Sequence, residues 1–164
     1  MIELLITIAI LGILATVAVP SFISSLARSS MDTAVSDMAA TLAFARSEAI
    51  GRSLRVVTCR SAAPYAAEAA LACGGAGTWE SGWVTFADSN SDGAFAVGEV
   101  LLRRRGSSSN LTITTGANYA TLITYDAAGR PTQNDTFTFT PSAASGLAAR
   151  TIAVSRSGRL NISQ

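Results

Sequence analysis

The sequence predicts an α+β fold in which one long N-terminal helix packs on an antiparallel β-sheet. The first fifty residues are apolar and then amphipathic, and the remainder contains short segments that alternate apolar with polar residues. We expect a transmembrane or assembly helix over residues 1–23 and one globular domain over residues 24–164. Within that domain, an amphipathic helix over 24–51 precedes a β-rich part over 54–164.

The first twenty residues are apolar enough for a membrane. From Leu4 to Val19 no residue is charged, and a helix continuing to Ile23 is about 30 Å long, which matches the hydrocarbon core of a bilayer. We therefore expect a membrane anchor, with a kink or a locally melted turn at Pro20. A cleaved signal peptide is the alternative, but such peptides begin with basic residues, whereas this segment begins with Glu3.

Glu3 carries the charge at the start of this apolar segment. A carboxylate costs about 2.5–3.5 kcal/mol at the middle of a membrane and less near its surface, so one that is retained is a candidate functional residue with a partner. The alternative is that Glu3 lies at the helix end and simply reaches the interface.

After Pro20 the apolar residues recur at alternating spacings of about four and three, which predicts an amphipathic helix with its apolar stripe in the domain core. Gly51 is a plausible stop, so one helix is expected from about Ile2 to Ile50. The stripe consists of Leu26, Ala27, Met31, Val35, Met38, Leu42, Ala45 and Ala49.

Eight downstream segments are rich in Thr, Val, Ile and aromatic residues and are separated by turn-forming residues, which predicts an antiparallel sheet with one face on the helix. Ser157-Gly158 is expected to form the last hairpin turn. Residues 61–77 are expected to form a loop with a short helix. The predicted strands are Leu54–Cys59, Trp83–Ala87, Glu99–Arg103, Leu111–Thr115, Leu122–Tyr125, Thr136–Thr140, Thr151–Ser155 and Arg159–Ile162.

Composition excludes several kinds of function. The chain has no histidine, which excludes Ser-His-Asp triads, Cys-His dyads and His-bearing zinc sites, so we do not expect an enzyme. A net charge of +1 argues against bulk attraction to nucleic acid.

Cys59 and Cys73 are the two cysteines, and on the exported side of a membrane they predict a disulfide that closes a loop of about 15 residues. Two free buried thiols are the alternative.

The segment from Asp88 to Glu99 has the spacing of a twelve-residue calcium loop, with Gly93 at the sixth position, where such loops turn sharply. An EF-hand needs a helix on each side, however, and the flanking segments are predicted strands. The same residues therefore also describe a polar hairpin connection in which Asp, Asn and Gly form turns. The candidate calcium ligands are Asp88, Asn90, Asp92, the backbone of Ala94, and Glu99.

A set of arginines is the candidate DNA-binding surface, because guanidinium groups neutralise phosphates. The alternative for the triplet within this set is a solvated strand end. The set contains Arg103, Arg104, Arg105, Arg150, Arg156 and Arg159.

The N-terminal segment Met1-Ile2-Glu3-Leu4-Leu5, followed by Gly12 and Pro20, resembles that of type IV pilins and type II secretion pseudopilins. The resemblance implies that Glu3 pairs with the methylated N-terminal amine of a neighbouring subunit and, with Pro20, takes part in assembly. It also implies that prepilin peptidase cuts the full-length precursor. Since the basic leader and the Gly-Phe-Thr around the cleavage site are absent, we expect Met1 to be an internal methionine of a longer precursor.

Further motifs resemble the FimT/GspH group of minor pilins and pseudopilins, and the order of one long helix followed by antiparallel strands is also the pilin order. These motifs are Cys59, Cys73, the segment from Trp79 to Phe86, the segment from Asp88 to Gly93, Gly98-Glu99 and Ser157-Gly158-Arg159.

This second resemblance implies a structural subunit of a type IV pilus or a type II secretion pseudopilus, which primes or caps assembly. It further implies one span of the bacterial inner membrane, a periplasmic domain, and other pilin subunits as partners. DNA uptake is the first alternative, because some FimT members are implied to bind DNA through Gly-Arg-x-Arg. Here Gly158, Arg159 and Leu160 match that pattern, but Asn161 replaces the second arginine. A calcium-stabilised, membrane-tethered binding module is the second alternative.

Overall fold

The computed structural model describes residues 2–141 and 146–163, and for residues 15–21 it describes the backbone alone. One long helix is followed by eight strands in the described residues, so the α+β fold is confirmed. The elements are α1 (Ile2–Arg52), β1 (Arg55–Arg60), β2 (Trp83–Asp88), β3 (Val100–Arg105), β4 (Leu111–Thr115), β5 (Leu122–Tyr125), β6 (Asp135–Pro141), β7 (Arg150–Val154) and β8 (Leu160–Ser163).

Helix α1 is continuous over 51 residues. The backbone is helical at Pro20, so the locally melted turn considered there is wrong. A proline removes one helical hydrogen bond, and the bonds before and after it hold the turn. A kink at this position stays a prediction, and the side chain of Pro20 lies outside the described residues.

The end of α1 corrects a second expectation, since the helix passes through Gly51. The left-handed residue that follows it is Ser53, with φ of 52°. The Ser53 N–H donates to the Ile50 carbonyl and the Leu54 N–H to the Ala49 carbonyl, both at 3.3 Å. These two bonds satisfy carbonyls of the last helical turn, as in a Schellman motif, so the glycine was not needed there.

The strands form two four-stranded antiparallel sheets instead of the single sheet that we expected. The order is β3-β2-β1-β5 in the first sheet and β4-β6-β7-β8 in the second. All eight predicted strands are present with ends shifted by at most two residues, because alternation of apolar and polar residues is a reliable sign of a strand. The alternation of apolar and polar residues does not show which strands pair when they are far apart in the sequence.

Both sheets contact α1, and its apolar stripe lies in the main core. Ala27, Met31 and five further predicted stripe residues (Val35, Met38, Leu42, Ala45, Ala49) are at most 4 % exposed. Leu26 is 52 % exposed, so its assignment to the stripe was wrong. Ala27, its neighbour on the helix, takes the core-facing position instead.

The loop between β1 and β2 contains the expected short helix, a 3-10 turn over Glu68–Ala70. Cys59 and Cys73 form a disulfide, with 5.5 Å between their Cα atoms. Cys59 and Leu71 are buried in a second, smaller apolar cluster with Phe86. The disulfide and this cluster therefore attach the loop to the first sheet.

A buried hydrogen bond joins α1 to the first sheet. The Trp83 Nε1–H donates to Thr41 Oγ1 at 3.2 Å, and the Thr41 hydroxyl donates to the Asp37 carbonyl at 2.7 Å. Trp83 and Thr41 are both fully buried. The hydroxyl of Thr41 is therefore the acceptor that allows a tryptophan to be enclosed in the core.

We predict that Thr41→Val, which conserves shape, lowers the free energy of unfolding by about 1–3 kcal/mol because it leaves a buried indole N–H without an acceptor. The matched control is Thr33→Val, since the exposed Thr33 hydroxyl makes the same type of helical bond, to the Ser29 carbonyl. Thermal melts of the full chain in detergent measure both. Equal melting temperatures for the two variants would contradict the role of Thr41.

Candidate functional site

The N-terminal half of α1 exposes its apolar side chains. Large aliphatic residues between Ile2 and Leu14 are 52–73 % exposed, whereas the C-terminal half of the helix buries its apolar stripe against the sheets. The exposed residues are Ile2, Leu4, Leu5, Ile6, Ile8, Ile10, Leu11, Ile13 and Leu14. A contiguous exposed apolar surface of this kind marks a site of interaction.

Glu3 lies in the first turn of α1 and is exposed. Among the side chains that the structure describes, none donates a hydrogen bond or forms an ion pair with its carboxylate. Pro20, the other residue expected in assembly, has its side chain outside the described residues. No helix within the described residues combines the length and apolar character needed to span a membrane.

The polar segment from Asp88 to Glu99 connects β2 to β3, so it lies in a hairpin between strands. Asp88 is buried at the end of β2, where its Oδ2 accepts the Gly93 N–H at 3.1 Å and faces Arg55 Nη2 at 3.6 Å. Arg55 also donates to the Ser91 carbonyl at 2.9 Å. Carboxylates in one loop repel each other unless a positive group lies among them. Here that group is the Arg55 guanidinium of the neighbouring strand β1, and nothing in the local pattern of the loop signals it.

The remaining side chains of the loop bind groups of the loop itself. Asp92 Oδ1 accepts the Ala94 N–H at 2.8 Å, and Asp92 Oδ2 accepts Asn90 Nδ2–H at 2.9 Å. Glu99 accepts the Ser89 N–H through Oε1 and the Ala96 N–H through Oε2, both at 3.0 Å. These bonds are typical of Asp and Asn side chains that stabilise turns.

In residues 2–141 and 146–163, no three acidic or cysteine side chains lie close enough together to hold a metal ion. The oxygens of Asp92 and Glu99 bind backbone N–H groups, while Asp88 Oδ1 is buried without a hydrogen bond in the described part of the chain. This geometry favours the hairpin interpretation. Calcium binding by Asp88, Asn90, Asp92, Ala94 and Glu99 stays a prediction.

The three arginines of β3 bind the protein itself. Arg105 Nε lies 2.6 Å from Asp37 Oδ2 of α1, and its guanidinium lies 5.8 Å from the Trp83 ring centroid. Arg103 lies 6.0 Å from the ring centroid of Phe44, also on α1. Arg104, which points to the opposite face of the strand, donates to the Ala66 carbonyl at 2.9 Å. The triplet therefore attaches β3 to α1 on one face and to the disulfide-bonded loop on the other.

The other candidate arginines belong to the second sheet, so the structure does not bring all six onto one strand edge. Arg150 forms an ion pair with Asp32 of α1. Arg156 donates from Nε to Asn134 Oδ1 at 3.3 Å. Arg159 is exposed, and among the described residues no side chain or carbonyl accepts from its guanidinium. Arg156 and Arg159 thus share the turn between β7 and β8 and remain accessible.

Gly158 is required at this turn by its conformation and by its surroundings. Its φ is 75°, and a Cβ at this position would lie 2.8 Å from the Gly129 carbonyl oxygen. Arg46 of α1 donates to the Gly158 carbonyl at 3.1 Å and so joins the turn to the helix. Sequence reasoning missed Arg46, because its partner Gly158 is 112 residues away in the chain.

Two ionisable groups lie close to this turn. Burial raises the pKa of the Tyr125 hydroxyl, and the nearby Arg46 guanidinium opposes that shift. The backbone N–H of Arg130 is the largest cause of the lowered pKa of Asp126, in the turn that contains Gly129. The end of the molecule near Arg46 therefore consists of two adjacent turns held by charge-assisted hydrogen bonds.

The chain is similar to two groups of known proteins. The family model of type II transport protein GspH matches residues 34–158. Among solved structures, the Pseudomonas aeruginosa type IV minor pilin FimU in space group P21 matches with a TM-score of 0.61 and 19 % identity, over 84 % of this chain and 90 % of FimU. FimU in space group P65 matches with a TM-score of 0.56 and 19 % identity, over 81 % and 92 %. No curated protein was found to match the chain.

The calcium hypothesis and the hairpin interpretation predict different melting curves. A ligand that binds the folded state alone stabilises it by about 2.7 kcal/mol at a hundredfold excess over Kd. If the loop binds calcium, a chelator should therefore lower the melting temperature. Added calcium should restore the melting temperature, and added magnesium should not. From the bonds described above we expect superimposable curves with calcium and with chelator. Glu99→Gln should then lower the stability by about 1 kcal/mol in both, since one charged acceptor is lost.

The control is Glu68→Gln, because Glu68 is exposed in the preceding loop and its carboxylate makes no hydrogen bond in the described part of the chain. This variant should melt like the native chain. A calcium-dependent shift that Glu99→Gln abolishes and Glu68→Gln retains would establish the metal site instead.

Proposed function

Because the chain belongs to the family of type II transport protein GspH, we propose that it is a minor pilin or H-type pseudopilin that helps to prime or cap assembly of a type IV pilus or a type II secretion pseudopilus. Pilins and pseudopilins are structural subunits, and we propose the same non-enzymatic role for this chain. The helix α1 is the element through which it would join the filament.

The observation that carries this proposal is the contrast between the two halves of α1. One face of the C-terminal half is buried against the two sheets, whereas Ile2 to Leu14 have large aliphatic side chains that are more than half exposed. Full burial of one such side chain is worth about 1.5–3 kcal/mol, so this surface has a strong tendency to leave water. A bilayer before assembly, and the helices of neighbouring subunits after it, would both provide the apolar surroundings.

The shape of the helix supports an extended assembly over a closed one. A rod that projects from one side of the globular domain packs beside the rods of other subunits through different faces, and such heterologous contacts continue as a filament. Glu3, at the start of the rod, would pair with the N-terminal amine of a neighbour. This pairing would offset the cost of placing a carboxylate in an apolar layer and would select one register between helices.

The proposed location follows from the same features. We place α1 in the bacterial inner membrane as a single span and the globular domain in the periplasm, where a disulfide such as Cys59–Cys73 is maintained. Prepilin peptidase would act on the full-length precursor, and other pilin subunits would be the partners.

DNA uptake remains the alternative function, but fewer arginines support it than the sequence suggested. Since the arginines of β3 bind α1 and the loop, DNA binding would depend on Arg156 and Arg159 at the turn between β7 and β8. Two arginines neutralise few phosphates, so such binding would be weak at physiological salt.

We predict that Glu3→Ala in the full-length, processed protein leaves membrane insertion unchanged but lowers recovery in sheared filament fractions by at least about tenfold, because removing one partner of a buried ion pair costs about 3–5 kcal/mol. Quantitative immunoblots of membrane and filament fractions measure the two effects separately. The control is Glu68→Ala on the globular domain. Equal recovery of Glu3→Ala and the control would leave Glu3 as a residue that merely reaches the membrane surface.

A further inference from the structure

Strand β8 is one of the two edge strands of the second sheet, and in the described part of the chain its free edge lacks the features that protect the other edges. On β4, the Ile113 N–H donates to Glu80 Oε2 at 3.3 Å, so a side chain covers that edge. On β5, the Thr124 carbonyl accepts the Thr132 N–H at 3.0 Å. The edge strand β3 ends in three arginines and pairs with β2 through an irregular register. Charges and bulges of this kind prevent pairing with other chains.

The sequence of β8, Leu160-Asn-Ile-Ser163, has no charge and no proline, and its register with β7 is regular. The free backbone groups of this edge can be identified from one hydrogen bond. The Ser155 N–H donates to the Arg159 carbonyl at 3.0 Å, and hydrogen-bonded pairs alternate along an antiparallel ladder. Asn161 therefore bonds to β7, whereas the N–H and C=O groups of Leu160 and Ile162 point away from it. Within residues 2–141 and 146–163, no backbone group pairs with these four.

The side chains of the same two residues lie on the inner face of the sheet. Leu160 pairs in register with Val154, and Ile162 with Ile152, and both partners are buried in the core. Ile162 is nevertheless 46 % exposed, because it lies at the sheet edge, beyond the cover that α1 provides.

A groove of about 370 Å³ runs between this edge and α1. Leu160 lines it from the strand, and Ala43, Ser47 and Ile50 line it from the helix. Ile50 is 50 % exposed, so apolar surface is available on both walls. The groove and the four free backbone groups together form what is here called the β8 edge.

One end of the β8 edge is positively charged. Arg46 and Arg159 line the groove next to Gly158, and the guanidinium of Arg46 keeps its Nε–H buried without a hydrogen bond in the described part of the chain. Among the residues that the structure describes, no acidic side chain lines this groove. A segment bound to the β8 edge would therefore bind more tightly if it carried a carboxylate at the end near Arg159.

We propose that the β8 edge binds an extended segment of a neighbouring, different subunit, which adds a fifth strand to the second sheet. A residue opposite Leu160 would point into the groove, and one opposite Ile162 would lie beside that exposed side chain. The segment therefore has apolar residues two positions apart, with an acidic residue at the Arg159 end. The choice of a different subunit rests on the proposed function. Two copies joined edge to edge by a two-fold axis would have antiparallel α1 helices, whereas subunits of one filament need parallel ones.

The test uses the full chain in detergent and a synthetic ten-residue peptide that alternates valine with threonine and carries aspartate at both ends. Residue-by-residue amide exchange by NMR should show Leu160 and Ile162 exchanging faster than Asn161 in the free chain. At a peptide concentration about ten times Kd, exchange at Leu160 and Ile162 should slow by about tenfold. A control peptide with prolines in place of its four central residues should have no effect, since it lacks the N–H groups that the ladder would use in either strand direction.

Ile162→Pro is the decisive variant, because it removes an outward N–H that β7 does not use, and it should abolish the effect of the peptide. Ile162→Val should retain it. If Ile162→Pro lowers the melting temperature by more than a few degrees, Ile162→Lys takes its place, and the inward charge should also abolish binding.

Three results would overturn the proposal. The first is equal amide exchange at Leu160, Asn161 and Ile162 in the free chain, and the second is amide exchange that the peptide does not slow. The third is amide exchange that slows with rising protein concentration alone, which would indicate a second copy. The peptide experiment needs no filament, so its failure is separate from failure of the proposed function. Normal peptide binding by a native chain that never enters filament fractions would overturn the proposed function and leave the β8 edge as a docking site.

Discussion

The fold depends on one constraint, which is that two sheets bury their inner faces against the same stripe of α1. Met38 and Leu42 are fully buried in the cluster that contains Trp83 of the first sheet and Phe137 of the second. A substitution on this stripe therefore affects both sheets at once. Polar contacts reinforce the arrangement from each side, since Arg105 of the first sheet binds Asp37 and Arg150 of the second binds Asp32.

This arrangement separates the two tasks of the long helix. Its C-terminal half completes the core of the domain, and its N-terminal half is left to interact outside the chain. The same division explains why the apolar stripe of one half is buried and the large aliphatic residues of the other are more than half exposed, although the helix itself is continuous. The proposed tether and the core element are thus one continuous helix.

Local patterning predicted the helix, the eight strands, the disulfide and the last turn, because each is encoded in residues close together in the chain. The division into two sheets was not predicted, since it depends on pairings such as that of β1 with β5 across more than sixty residues. The arginine triplet also shows that contacts between elements far apart in the chain cannot be predicted from local patterns. As soon as β3 is known to be a strand, Arg103 and Arg105 must share a face, but the Phe44, Asp37 and Trp83 side chains they meet belong to other elements. Arg55 beside Asp88 and Arg46 beside Gly158 were missed for this reason as well.

The short connection after α1 has a mechanical consequence. Only Ser53 and Leu54 separate the end of the helix from β1, and their backbone N–H groups are bonded back to the last helical turn. A force along the axis of α1 is therefore transmitted directly to β1, since no flexible linker lies between them. β1 is a central strand with β2 on one side and β5 on the other, so the load is shared by two ladders of hydrogen bonds that resist sliding together. Tension on a filament would thus be borne by a central strand of the first sheet, while the β8 edge lies in the other sheet, away from that strand.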